Sequence, residues 1–474
     1  MAAELLDRVG WTWVRRFGDV LGPSASLVGT TVVTSALGFA YWWAAARMVP
    51  IHEVGAATAV ISTMTLLGTI GMFGFGTMLI AEASRGRGMV GSLVATSLLV
   101  VAVLATVMGA SCWAILRFSH GAIGAIGAAM GSSWVAAGLI VGVGLTAAGM
   151  VLDQALVGIR ASSVQLYRNT YFSIGKLALL VLLVGVLGSH SQVTLVWAWV
   201  GGIVASMAVT AGHLAARGYR LSQPVRLSAL RGVGAMTFHH NTLNLSLAVP
   251  RLGLPLLVAS LLGTHANAAF YAAWMITSFI YILPMHLSTA LFAVAVGDAR
   301  ALAPRLRVAL KVSLLLGGSV AVAVAVLAGP MMRSFGPGYE AATTALAVLA
   351  IAYFPNVVKQ CYVAVARVDN RLRKAGAVCG TGAVLELCLT AVAGWYDGLT
   401  GISLGFLAAV TLQAVYYVPH VLRALRPGGR HAAPPGSSQP CRPTARAEVP
   451  SPRRAGRPGG PGKSRQAMSP AEVE

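Results

Sequence analysis

The chain has 474 residues, of which 56% are hydrophobic and only 10% charged, with a formal net charge of +21 and a mean hydropathy of +0.73. This composition excludes an ordinary water-soluble enzyme, in which about a quarter of residues are charged, and a disordered chain, which needs low hydrophobicity. Its apolar runs do not alternate at period two as barrel strands do, so backbone groups in lipid must be satisfied within helices, and the chain reads as an all-α polytopic membrane protein.

Residues 1–24 come first, and Trp11, Trp13, Arg15 and Arg16 suit a short interfacial helix with rings in lipid and guanidiniums at phosphates. The first apolar run is a full spanning length, so it reads as a span and not as a cleavable leader. Stretches of about 20 apolar residues, enough to cross ~30 Å of hydrocarbon, occur twelve times. They cover 25–47, 55–81, 89–115, 134–159, 173–189, 193–215, 237–262, 266–296, 309–332, 342–366, 375–394 and 400–422. The first six define a bundle over 25–215, residues 216–236 a cytoplasmic linker, and the last six a second bundle over 237–424. From 425 to 474 the sequence turns to Pro, Gly, Ser and Arg, a composition that cannot bury enough apolar surface to fold; it reads as a disordered, basic cytoplasmic tail.

Orientation follows from the 35 Lys and Arg residues. With both termini in the cytoplasm, the inner loops hold Arg85, Arg87, Arg160, Arg168, Arg217, Arg220, Arg300, Arg305, Arg371 and Arg373 among others, whereas the outer connections hold only Arg47, Arg117 and Arg333. Trp42, Trp43, Trp113, Trp134, Trp197, Trp199 and Trp395 fall at ends that this topology places outside, where indoles anchor at headgroups. The basic balance is thus a topology signal and a contact with anionic membrane lipids, and no nucleic acid is expected.

Within the tail, GRPGGPGKS approaches a nucleotide-binding loop but has Arg457 where the first required glycine would stand. The five cysteines have no metal-ligand spacing, and no cofactor or metal is expected.

The chain also repeats itself. Shifting residues 25–85 forward by 213 lays the first two spans on the seventh and eighth and His52 on His265; at an offset of 206, VLDQALVGI lies over VVKQCYVAV, with Asp153 opposite Lys359. Two halves of six spans share one orientation, related by an axis along the membrane normal.

Charged groups inside spans mark candidate sites, because each costs several kcal/mol unless it meets water, a partner or a ligand. On the seventh span His240, Asn244 and Arg251 share a sector of about 40° on an otherwise apolar helix, so one face is expected to be wet. Arg251 is too deep for easy snorkelling and suits a phosphate or diphosphate, to which it offers two parallel donors; the competing account pairs it with Glu386 of the eleventh span. On the first span Thr31 and Thr34 either widen a cavity or permit close packing. Asp153 has three open accounts: an ion pair with Lys176 across the fourth and fifth spans, a contact with Lys359 that bolts the halves together as a gate, or proton or cation coupling. Glu386 is the other candidate for ion coupling.

Three stretches carry a family likeness: LGFAYWWAAARMVPIHEVGAATAVIS (37–62), LAVPRLGLPLLVASLLGTHANAAFYAAWMITSFIYILP (247–284) and FGPGYEAATTALAVLAIAYFPNVVKQ (335–360). Over about residues 20–424 the chain resembles the polysaccharide flippases (O-antigen and exopolysaccharide transporters) of the MOP superfamily, relatives of lipid II flippases and of multidrug and toxin extruders. The resemblance implies a non-enzymatic protein of the bacterial cytoplasmic membrane that flips an isoprenoid-diphosphate-linked oligosaccharide outward by alternating access. Partners implied are that lipid-linked oligosaccharide, membrane lipids, and glycosyltransferases or a polymerase of the same pathway. A cation-coupled drug exporter of the same fold is the alternative. A membrane glycosyltransferase or polymerase would need catalytic groups outside, and the longest outer loop, 116–133, contains no carboxylate.

Overall fold

The computed structural model describes residues 33–76, 78–79, 90–118, 127, 131–159, 161–218, 224–227, 234–295 and 302–426. The interfacial segment, Thr31, almost all of the basic tail and the side chain of His240 lie outside the described residues.

The first six spans are separate helices: α1 (residues 33–48), α2 (Ile51–Gly71), α3 (Val90–Phe118), α4 (Ser133–Gly158), α5 (Ser162–Gly185) and α6 (Gln192–Ala216). The next stretch, Gly234–Ala295, has 62 residues, which as one straight helix would be about 93 Å long, some three times the hydrocarbon thickness. It is broken at Gly263, where φ is 86°, a left-handed conformation that glycine adopts without a Cβ clash. The two arms are α7 (234–262) and α8 (264–295). They fold back on each other, as the indole Nε1 of Trp274 donates to the Arg251 carbonyl at 3.1 Å. The turn at Pro50 between α1 and α2 and the break at Gly263 are 213 residues apart, which is the repeat read from the sequence.

The ninth span, α9 (Leu302–Val326), contains one π-helical turn at Ser313–Gly317. The tenth, α10, joins Tyr339–Ile351 to Tyr353–Val368 with a 42° bend; Pro355 cannot donate to the Ile351 carbonyl, so the ladder fails at the bend. Leu372–Leu425 is a second double-length stretch, broken at Asp397 and Gly398 into α11 (372–396) and α12 (399–425). Seven helical stretches among the described residues are long and apolar enough to cross a membrane, eight with the bent pair. The two double-length stretches supply two spans each, and α1 and α5 complete a twelve-helix, multi-pass membrane fold.

One boundary differs from the sequence reading in a way that matters. The fifth span was expected at 173–189, but α5 begins at Ser162, so the polar segment SSVQLYRNTYF is helix and not inner loop. Arg168 therefore lies within the span, 7% exposed.

The halves meet along α2 and α8. Gly55 is required there: a Cβ would lie 1.7 Å from the Thr264 carbonyl oxygen. Asn267 crosses the same seam, donating to the Gly55 carbonyl at 2.8 Å and to Thr58 Oγ1 at 2.9 Å. Toward the end that the charge pattern places outside, Trp43 and Arg47 both donate to the Ser334 carbonyl, at 3.1 and 2.9 Å, and Trp42 packs edge-on against Tyr271. One buried cluster accordingly unites Tyr41, Trp42 and Val54 of the first half with Ala269, Phe335 and Tyr339 of the second. At the other end, Leu243, Leu291, Leu306, Val363 and Val421 form a cluster composed of second-half residues alone. One buried cluster thus joins the two halves, whereas another is built from second-half residues alone.

Candidate functional site

Arg251 sits on α7 twelve residues before Gly263, about 18 Å from the hairpin turn at 1.5 Å per residue. Its neighbours Leu254 and Val258 are buried, while Arg251 itself is exposed. Protein nevertheless crowds around it at longer range. The backbone here is fixed by an unusual exchange. Pro255 has no N–H, so it leaves the Arg251 carbonyl without its helical donor, and the Trp274 indole supplies the missing bond. Trp274 is held in turn by stacking on Phe270 and an edge contact with Phe406, at centroid distances of 5.9 and 5.3 Å. The backbone carrying the guanidinium is therefore held by a tertiary hydrogen bond, and the side chain has no ion-pair partner among the described residues.

Asn244 lies two turns nearer the cytoplasmic end and is also exposed. Its Oδ1 accepts from Arg367 Nη2 of α10 at 3.3 Å. Arg367 is thereby tied to Asn244, which lies seven residues, about 10 Å along the axis, from Arg251. Arg367, left among loop cations in the sequence reading, is the residue that reading missed; its place in the last turn of α10 was the available signal. Thr34 is half-buried near the start of α1.

The competing account, which paired Arg251 with Glu386, is not what the structure shows. Lys359 of α10 is in hydrogen-bond contact with Glu386 Oε1, and Gln413 Nε2 of α12 donates to the same oxygen at 2.7 Å. Tyr417 continues the chain to Gln413 Oε1 at 3.4 Å and stacks on Tyr362. Glu386 is 2% exposed, so its charge is balanced by Lys359 within the second half.

The pairings proposed for Asp153 fail as well. Asp153 is held bidentately by Arg168, with Nε to Oδ1 at 2.7 Å and Nη2 to Oδ2 at 2.5 Å. Lys176 lies eight residues farther along α5, about 12 Å too high to compete, and Lys359 belongs to the other half. Arg168 also donates to Asn169 Oδ1 at 3.0 Å. No bolt between the halves is formed by Asp153.

Lys176 instead enters an aromatic box. Its ammonium lies 4.0 Å from the ring centre of Trp199, 4.7 Å from Phe172 and 5.1 Å from Tyr41. Each face of such a ring attracts a desolvated cation by roughly 0.5–2 kcal/mol, and the side chain is only 4% exposed. Among the described residues, the two carboxylates buried within spans are therefore both neutralised by basic residues of the same half, and Arg251 has no ion-pair partner.

No family model matches the chain and no curated protein does; solved structures do. One is described as the inward-facing conformation of a multidrug resistance MATE family transporter of the MOP superfamily, at TM-score 0.68 and 16% identity, covering 83% of this chain and 95% of that one. A MATE protein in complex with MaL6 matches at TM-score 0.61 and 14% identity, covering 83% and 95%. A MOP superfamily transporter from Pyrococcus furiosus Vc1 (DSM3638), described by a binding pocket of reverse polarity that suggests a different function, matches at 0.62 and 14%, covering 84% and 95%. The chain has the twelve-helix, two-lobe fold of these membrane proteins.

Proposed function

We propose that this protein is a flippase of the bacterial cytoplasmic membrane, moving an isoprenoid-diphosphate-linked oligosaccharide from the inner to the outer leaflet by alternating access. The observation that carries the reading is the exposed guanidinium of Arg251, which has no ion-pair partner among the described residues, while the carboxylates Asp153 and Glu386 are each already paired. An exposed guanidinium without an ion-pair partner has one unmet electrostatic need, an anion, which a wet crevice between the halves would admit. A diphosphate offers the planar pair of acceptors that a guanidinium binds bidentately, with Arg367 and Asn244 positioned on the inward approach. The saccharide would cross in the wet crevice while the isoprenoid stays in lipid, which removes most of the cost of taking polar groups through hydrocarbon. The second lobe's guanidinium then moves from one opening to the other as the halves rock about the α2–α8 seam.

The likeness to multidrug transporters supports transport in general and leaves export of organic cations as the second reading. A cation pump needs an acidic group free to meet cargo, and within the described spans each buried carboxylate already holds a basic partner. Reconstitution in vesicles with a fluorescent lipid-diphosphate saccharide separates the two. Arg251→Gln should lower the flipping rate by about tenfold or more, since a charge-assisted hydrogen bond contributes about 1.5–3 kcal/mol, with Arg251→Lys between the two. Equal rates in all three, or extrusion of a lipophilic cation that Arg251→Gln accelerates, would reject the flippase reading.

A further inference from the structure

A groove of about 230 Å³ lies between α5 and α6 at their cytoplasmic ends, lined by Val164, Tyr167, Tyr171, Thr210, His213 and Arg217, with Val209 beside them. Its lining belongs to α5 and α6 of the first half, whereas Arg251 is on α7 of the second, and nothing in the transport reading uses it. Its rim belongs to a lipid-facing surface: Tyr167, Tyr171 and Ile174 are 48%, 46% and 49% exposed and recur at helical spacing along α5, and Val209 is 44% exposed on α6. Its floor is closed by Val164 and Thr210, both buried.

The polar groups at its inner end are poised and unused. Arg217 caps α6 with its side chain exposed and has no ion-pair partner among the described residues. The Nε2 atom of His213 is buried without a hydrogen-bond partner, and its ring sits 6.1 Å from that of Tyr167 in an edge-on contact. Among the described residues no carboxylate lines the groove. Above these groups the walls become apolar along Ile174, Val181 and Leu182 of α5 and Val204 of α6, all exposed.

We propose that this groove is a binding site for an anionic inner-leaflet phospholipid, with the phosphodiester at Arg217, His213 and the two tyrosine hydroxyls, and an acyl chain running outward along α5. The vertical order of the surface, cationic at the cytoplasmic end and apolar above it, matches that of a lipid and not of a free phosphate ion. A polybasic surface alone attracts anionic lipid diffusely, by about 1 kcal/mol per basic residue; a groove with an aromatic wall and a buried imidazole adds a fixed position.

The test uses the full-length protein in a neutral detergent, with phosphatidylglycerol and phosphatidylcholine as probes and native mass spectrometry as the readout. The wild type should retain one phosphatidylglycerol in preference to phosphatidylcholine. Arg217→Ser should weaken that retention by about tenfold, the effect of losing one charge-assisted hydrogen bond. Val209→Trp, which fills the groove and changes no charge, should weaken it comparably. Arg226→Ser removes an equally exposed cytoplasmic-side charge outside the groove and should leave retention unchanged. Equal losses in Arg217→Ser and Arg226→Ser would reduce the effect to diffuse electrostatics and overturn the proposal. Full retention in Val209→Trp would overturn it too, as would saturable binding of inorganic phosphate that displaces the lipid.

Discussion

Each half of the molecule ties its fourth and fifth helices together with one ion pair, and the two pairs are opposites. In the first half the carboxylate is on α4 and the cation on α5, Asp153 with Arg168, and their side chains are 15% and 8% exposed. In the second half the cation is on α10 and the carboxylate on α11, Lys359 with Glu386, at 7% and 3% exposed. The first is a bidentate fork near the cytoplasmic end, which satisfies both carboxylate oxygens and retains some contact with water. The second is deeper, and one oxygen of Glu386 receives both Lys359 and Gln413. The difference teaches that the internal repeat preserves helix placement without preserving charge: the same structural need, a neutralised charge inside a hairpin, is met with reversed polarity at a different level. It also isolates Arg251, since neither pair leaves a carboxylate for it.

The largest expected effect comes from breaking the drier pair. Glu386→Ala strands Lys359 in a buried site, and removal of one partner of such a pair costs about 3–5 kcal/mol. Thermal unfolding in detergent should show a steep drop, with the double variant Lys359→Met and Glu386→Leu recovering most of it because apolar side chains of similar volume replace both charges. If the single and double variants were equally unstable, packing and not charge would account for the loss.

A smaller effect is expected in the first half. Asp153→Asn leaves Arg168 with a weaker acceptor in a site that water partly reaches, at a cost of about 1–3 kcal/mol. The exchange Asp153→Arg with Arg168→Asp should restore expression and stability. The exchange Asp153→Lys with Lys176→Asp should not, because those positions are a full two turns apart in height and Lys176 faces aromatic rings. Rescue by the second exchange in place of the first would show that the hairpin packs differently in the membrane.

These pairs also show what the sequence could and could not disclose. Span number and hairpin turns were legible, since apolar length and the 213-residue repeat led to the positions where Pro50 and Gly263 interrupt the helices. The start of α5 was not, because SSVQLYRNTYF has the hydropathy of a loop. One face of it turns inward, where Arg168 meets Asp153, while Tyr167 and Tyr171 stay exposed. That misplaced boundary moved Lys176 too close to the cytoplasmic end and produced the wrong partner for Asp153. Lys359 was likewise set opposite Asp153 by the repeat, whereas its partner is on the adjacent helix of its own half. Of the candidate site, the shared face of Asn244 and Arg251 could be read from spacing, and so could the carbonyl freed by a proline. That an indole from the following helix satisfies that carbonyl is a tertiary fact with no local signal.

The central claim is that water reaches position 251 from the cytoplasmic side. With the five native cysteines replaced, an Arg251→Cys variant should react with a membrane-impermeant maleimide in inside-out vesicles, far faster than a cysteine placed at the buried neighbour Val258. Reaction only with a lipid-soluble reagent, or none from either side, would contradict the account.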